Sequence, residues 1–394
     1  MKRKLCLVMI PVLVCSFCAG NQEKNVWPTE GWEKSTPEKQ GIDITLLSEL
    51  DTKIANGEFG YIDDFIVIRN GYLVYEKFYS NDYVKINEGK DDSDWMYNYF
   101  NPDWHPFYKG TKLHTLQSVT KSMTSANIGI AIGRGEIPGV EVKIADLFED
   151  EAIENVDDWK KQMTLEDVLT MRAGIDWDET LPYTDPNNTC TQLEASRDWF
   201  RFVIDRPMEA EPGTHFEYNS GASLLLSAVI KKSTGEYIDK YAEKYLFGPL
   251  GISDYHWKIT PTGLPDTEGG LYLEPCDLAK VGYLYMHDGV WDGRRILPEG
   301  WVEATVTPHV ADVAPEVLEV NTAYGYQWWL LPYTPESKEY VYACLGYGGQ
   351  YLLVSPKYNL IAVFNGWNIY EKPRLPLNVF FDFVVKAITD TEIE

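Results

Sequence analysis

Positive charge is scarce in this 394-residue chain: 35 Lys and Arg stand against 60 Asp and Glu, a formal net charge of −25. Such a surface repels nucleic acid and anionic membranes, which excludes a nucleic-acid partner. Cysteine is sparse as well. Cys6, Cys15 and Cys18 fall in the first 20 residues, leaving Cys190, Cys276 and Cys344, an odd number at wide spacings. That gives neither a disulfide framework nor a zinc pattern. The histidines, His105, His114, His215, His256, His287 and His309, form no metal-like pair, and ordinary roles are expected for each, with His215 the nearest candidate to border a site. No metal or cofactor is implied. Beyond the N-terminus no apolar stretch approaches membrane-spanning length, and there are no repeats.

The N-terminus itself reads Met1-Lys2-Arg3-Lys4, an apolar stretch from Leu5 to Phe17, then Cys18-Ala19-Gly20 before polar Asn21-Gln22-Glu23. This predicts a secretory signal peptide over residues 1–20, too short to span a bilayer, and an exported protein, periplasmic or secreted. Lipid attachment at Cys18 or Cys15 is the lesser alternative, because Phe17 and Val14 are bulky where a small residue is usual. Loss of the three N-terminal cations makes the mature chain more acidic still.

Helical spacing of Leu46, Leu47, Leu50 and Ile54 predicts a helix from Ile44 to Ala55. Two apolar runs around Asn70-Gly71 predict a β-hairpin over Phe65–Tyr75. Gln350–Val354, a Pro356–Asn359 turn and Leu360–Phe364 predict a second hairpin, followed by a helix from Leu377 to Ile388. Strands at both ends with helical patterns between them imply an α+β fold: one antiparallel sheet flanked by the terminal helices (residues about 35–120 and 320–394) beside a mostly helical lobe (about 121–320), with the site in the cleft between. The stretch Glu88–Tyr108, acidic and then aromatic, is a long loop that either walls this cleft or packs on its own lobe.

Ser118-Val119-Thr120-Lys121 places a hydroxyl and an amine one helical turn apart, on one face of a helix. A serine needs a neighbour to take its proton, and a desolvated lysine that sheds its charge can do so. The tetrapeptide alone is weak, expected by chance about once or twice in a chain of this length. What strengthens it is the nearly uncharged run that follows, with Met123, Ala126, Ile128, Ile130 and Ile132, which predicts a helix buried almost all round. Tyr218, in a Gly-flanked loop ahead of an apolar helix (Leu224–Ile230), supplies a phenol that can exchange protons beside an ammonium. Cys344-Leu345-Gly346-Tyr347-Gly348-Gly349 opens the C-terminal hairpin, where a strand-edge N–H can help bind an oxyanion.

Taken in this order, the three elements resemble the serine β-lactamase and penicillin-binding superfamily, in its class C β-lactamase-like branch with family VIII esterases, D-aminopeptidases and 6-aminohexanoate-dimer hydrolase. Leu169–Trp177, Gly269-Gly270-Leu271-Tyr272 with Asp277–Lys280, and Tyr324–Trp329 match as well, so the resemblance covers about residues 35–385. It implies that Ser118 is acylated, that Lys121 activates it, that Tyr218 shuttles protons, and that Tyr347 with Gly346 borders the oxyanion and substrate.

Two departures stand out. The third position of the Tyr-x-Asn element is Ser220, with Asn219 one place early, and the Lys/His-Thr-Gly element reads Cys344-Leu345-Gly346. A substrate carboxylate meets no nearby cation there, a contact worth roughly 1.5–3 kcal/mol. The expectation is therefore an exported serine hydrolase of esters or neutral amides, acting on a small molecule or peptide, cell-wall fragments included. D-amino-acid peptidase and weak β-lactamase activities rank lower. The alternative from another class is a binding or sensor protein on the same scaffold. A Ser-His-Asp hydrolase is disfavoured, since no Gly-x-Ser-x-Gly elbow surrounds Ser118.

Overall fold

The computed structural model describes residues 26–91, 93–313, 322–370 and 375–391; the signal peptide expected over residues 1–20 lies outside them. The hairpin around Asn70-Gly71 forms as its sequence requires. β1 (Ile62–Arg69) and β2 (Tyr72–Phe78) are joined by two residues at φ 53° and 80°, the left-handed pair that matches strand twist. Gly71 is needed for a second reason: a Cβ there would lie 2.7 Å from the Tyr283 hydroxyl.

Three short strands near the nucleophile, β3 (His114–Thr115), β4 (His256–Trp257) and β5 (Leu271–Leu273), form a small sheet in the order β3-β5-β4, and β6 (Val290–Trp291) pairs with β7 (Arg294–Arg295). The chain then returns as β8 (Val310–Val313), β9 (Thr322–Tyr324), β10 (Trp329–Pro332), β11 (Tyr340–Gly346), β12 (Gln350–Ser355) and β13 (Leu360–Gly366). With β1 and β2 these make an antiparallel sheet of eight strands among the described residues, in the order β2-β1-β13-β12-β11-β10-β9-β8. N- and C-terminal strands meet at the β1–β13 pair, where Phe65 stacks on Phe364 at 4.5 Å.

Both faces of the central strands are buried, which is why they read as continuous apolar runs rather than alternating ones. Phe65 and Val67 join Ala362 and Phe364 in a core under the helix Ile44–Ala55. Ile66 and Ile68 face the other way, into the core shared with the nucleophile helix Val119–Gly133 and the helix Pro275–Met286. Gly282 lets that last helix lie close to β12, since a Cβ there would meet Val354 at 2.8 Å. The helix Ile44–Ala55 has the predicted bounds, and Asp43 caps it by accepting from the Thr45 N–H.

Three expectations need adjustment. The C-terminal helix is shorter than Leu377–Ile388 and more widely wound, a π-helix over Phe380–Val385, with Phe380, Val384, Ala387 and Ile388 buried against the first helix. The large sheet resumes at Val310, earlier than residue 320, because β8 pairs with β9. Pro275–Met286, inside the span assigned to the helical lobe, packs on the sheet. No helix among the described residues is long and apolar enough to cross a membrane.

Candidate active site

Ser118 sits at the start of the nucleophile helix, whose residues Val119 to Ala131 are all buried, as the uncharged run predicts. The entry to that helix is held tightly: Leu116 N–H donates to Leu271 O at 2.9 Å, and Thr120 Oγ1 accepts from Leu271 N–H at 3.1 Å. Gln117, just before the serine, has φ 47°, a costly conformation for a side chain of that kind. Lys121 Nζ lies 2.8 Å from Ser118 Oγ and donates to it. It also donates to Glu268 O at 2.7 Å.

Tyr218 reaches the same point from a loop fixed by the segment Leu169–Gly174. Glu217 N–H donates to Met171 O at 2.9 Å, and Gly213 N–H donates to Arg172 O at 2.9 Å. Ser118 and Lys121 both act on the phenol, its ring lies 5.2 Å from Lys121 Nζ, and it stacks on Trp329 at 5.8 Å. Ser118, Lys121 and Tyr218 thus converge.

The neighbours of Tyr218 do not serve substrate as the family pattern implies. Asn219 is 2% exposed and caps the helix Ser220–Thr234, its Oδ1 accepting from Ala222 N–H at 2.7 Å. Its amide is therefore taken from the cleft by a structural duty. Ser220 gives both its N–H and its Oγ–H to Glu179, at 2.9 and 2.6 Å. Glu179 also receives the Trp177 indole at 2.8 Å and the Tyr183 hydroxyl at 2.6 Å.

Electrostatics reverse one expectation. Burial works against the charge on Lys121, but Tyr218, Glu268 and Glu179 outweigh it and hold the ammonium above its usual pKa. Lys121 stays charged. Burial likewise pushes the Tyr218 phenol up, against the lowering pull of Lys121 and the hydrogen bonds from Ser118 and Lys121. The resting pair is a phenol beside an ammonium, with its protons shared through Ser118.

Gly346 ends β11 where it closes on the nucleophile segment: a Cβ there would lie 2.5 Å from Leu116 O. Tyr347 follows in the turn to β12, its ring 4.8 Å from Tyr183 and 5.7 Å from Tyr99. Cys344 is buried, with Ser122 as its hydrogen-bonding neighbour, so this position presents no group to substrate. The loop 88–108 does both things weighed for it. Tyr99 packs against Tyr347 and Trp367, while Tyr97 turns to Trp199 and Trp104 to His256. His215 is 69% exposed and pairs with Glu217; His105 stacks on Trp367, and His114 bonds to Asp63.

A second layer went unread in the sequence. Cys190, Glu194 and Glu268 bring one ligand-type atom each within 4.8 Å of one another, and Glu268 Oε2 is 3.7 Å from Lys121 Nζ. The buried Lys258 lies close to these acids, and with Lys121 it balances their charge. The one available signal was an acid placed directly before Gly269-Gly270.

Ser118, Lys121 and Tyr218 come together where a helix start meets the end of an antiparallel strand. A family profile described as Beta-lactamase matches residues 65–366, and the chain belongs to that family. The 6-aminohexanoate-dimer hydrolase of Paenarthrobacter ureafaciens is 25% identical over 267 residues, 64% of this chain and 65% of that protein, so less than two thirds of the relative's length is matched. Among solved structures, a family VIII carboxylesterase is similar at TM-score 0.64 and 14% identity, over 90% of this chain and 98% of the other. An octameric penicillin-binding protein homologue from Pyrococcus abyssi is similar at TM-score 0.60 and 18% identity, over 89% and 78%. These two likenesses establish the fold.

Proposed function

We propose that the protein is an exported serine hydrolase that cleaves ester or amide bonds through an acyl-enzyme on Ser118, with Tyr218 and Lys121 as its proton-transfer pair. The observation that carries this reading is the 2.8 Å contact from Lys121 Nζ to Ser118 Oγ, with the Tyr218 ring 5.2 Å from the same nitrogen. Ser118 Oγ attacks the carbonyl and its proton passes to the phenolate form of Tyr218, which becomes a phenol. The C–O or C–N bond then breaks as that proton goes to the leaving group, and water releases the acyl group by the reverse route. The charge on Lys121 favours the phenolate form of Tyr218 during transfer. Backbone N–H groups of Ser118 and Tyr347 hold the oxyanion.

Substrate charge follows from the surroundings. Glu179 and Glu268 act on Lys121, and the strand position that could face a substrate carboxylate is the buried Cys344, not a cation. A substrate carboxylate therefore forgoes a charge-assisted contact worth about 1.5–3 kcal/mol. Neutral esters and amides are favoured, and β-lactams and carboxylate-ended peptides are disfavoured. Turnover of a short-chain p-nitrophenyl ester and of a chromogenic cephalosporin, each compared with Ser118→Ala, tests the reading. Sustained ester turnover that vanishes in the variant, with the cephalosporin silent, is expected. A burst of one equivalent and no more would favour a binding or sensor role.

A further inference from the structure

Glu268 takes part in no step above, yet it meets the lysine twice. Its backbone carbonyl accepts from Lys121 Nζ at 2.7 Å, and its carboxylate lies 3.7 Å from the same nitrogen. The two side chains are 8% and 1% exposed, so water neither screens nor replaces the pairing. The turn that carries Glu268 is held in place. Asp266 Oδ1 accepts from the N–H groups of Glu268 and Gly269 at 2.9 and 3.1 Å, and Thr267 Oγ1 donates to Ser223 O at 2.9 Å. An ammonium flanked by a fixed carboxylate keeps its proton, and a lysine that keeps its proton is not the base.

We infer that Glu268 is a positioning residue: it fixes Lys121 as an ammonium aimed at Ser118 and so leaves Tyr218 as the group that takes the serine proton. This rests on Ser118 being the nucleophile. In the acylation step the Oγ–C bond forms as the Ser118 proton moves to the phenolate oxygen of Tyr218, the form the Lys121 ammonium stabilises. Lys121 keeps all three of its protons, and the proton on Tyr218 leaves with the departing group.

The pH dependence of this device is set by every group that faces Glu268. These are Lys121 from the nucleophile helix, Asp266 from its own turn, Glu179 from the preceding loop and Lys258 from the end of β4. Cys190 and Glu194 join them from the helix Thr189–Ala195, and Tyr97 and Tyr99 from the loop 88–108. Burial and then Asp266 push the Glu268 carboxyl up to about 8, against the pull of Lys121 and Lys258. The carboxylate, and with it the hold on Lys121, therefore forms as pH rises through that value.

The test is the rate at which a fluorophosphonate labels Ser118, followed from about pH 6 to 10 in wild type, Glu268→Gln and Glu268→Asp, with kcat and KM on a p-nitrophenyl ester alongside. In wild type the rate rises through pH about 8. Glu268→Gln is expected to label roughly tenfold slower on the alkaline side and to lose that step, with KM little changed, whereas Glu268→Asp keeps the step at a reduced rate. A Gln variant whose profile keeps the wild-type shape, whether at full or at uniformly lowered rate, overturns the inference. A wild-type protein that is not labelled at Ser118 overturns the functional reading and this inference with it, an outcome distinct because the wild type itself is silent.

Discussion

Glu179 is the side chain whose removal tests the site most broadly, because one carboxylate holds four donors from three segments. Oε1 receives the Tyr183 hydroxyl and Ser220 Oγ–H, both at 2.6 Å, and Oε2 receives the Trp177 indole at 2.8 Å and Ser220 N–H at 2.9 Å. A hydrogen bond to an ionised group contributes about 1.5–3 kcal/mol, and a buried donor left without a partner costs about 1–3 kcal/mol. Trp177 and Ser220 are 3% and 1% exposed, so Glu179→Ala strands three buried donors, while the Tyr183 hydroxyl, half-buried, can turn to water. The expected loss is about 3–4 kcal/mol, a large part of a typical domain's stability. Glu179→Gln should behave differently. Its oxygen can keep Trp177 and Ser220 N–H, and its amide can donate to the two hydroxyls, so about 1 kcal/mol is lost with the charge. Glu179 also raises the Glu268 carboxyl, so the Gln variant should move the alkaline rise in kcat/KM to lower pH. Urea unfolding midpoints at constant m-value, with pH–rate profiles, check both. Equal destabilisation by Gln and Ala, or an alkaline limb displaced upward, would refute this account of Glu179.

Gly346→Ala is expected to cost about 100-fold in kcat/KM with little change in the unfolding midpoint, because a Cβ 2.5 Å from Leu116 O must push the strand end or the nucleophile segment aside, and misplacement of about 1 Å carries that penalty. An activity within threefold of wild type would contradict it. His114 is fully buried, with Nδ1 at 2.8 Å from Thr115 O and Nε2 at 3.1 Å from Asp63; burial opposes its charge, but the hydrogen bond and charge of Asp63 raise its pKa above the usual value. A group raised on folding stabilises most below its unfolded pKa of about 6.5 and loses that contribution as pH climbs through the folded value. The stability gap between wild type and His114→Asn should therefore be widest in acid and narrow with rising pH, as chemical unfolding across pH would record; a gap that widens would rule out the charged pair.

The elements legible in the sequence were those whose signal is local. Asn70-Gly71 demanded its turn, Leu47, Leu50 and Ile54 their helix, and the run after Ser118 its burial. The wide winding of the C-terminal helix was not legible, because Phe380, Val384 and Ile388 satisfy ordinary helical spacing while their packing on the first helix sets the backbone. Ser118, Lys121 and Tyr218 were named from spacing and family order. The charge state of Lys121 was not, because it depends on Glu268 and Glu179, 147 residues after it and in a separate loop. Asn219 shows the same limit: one residue early in a motif, its amide is spent on a helix cap rather than a substrate.

The most direct measurement of the central claim is acid-quench mass spectrometry of the mature protein mixed with a short-chain p-nitrophenyl ester, with the adduct mapped by peptide digestion. The account predicts an acyl mass on the peptide containing Ser118, formed with the release of p-nitrophenol and absent in Ser118→Ala. Turnover without an adduct, or an adduct on another residue that persists in Ser118→Ala, would contradict it.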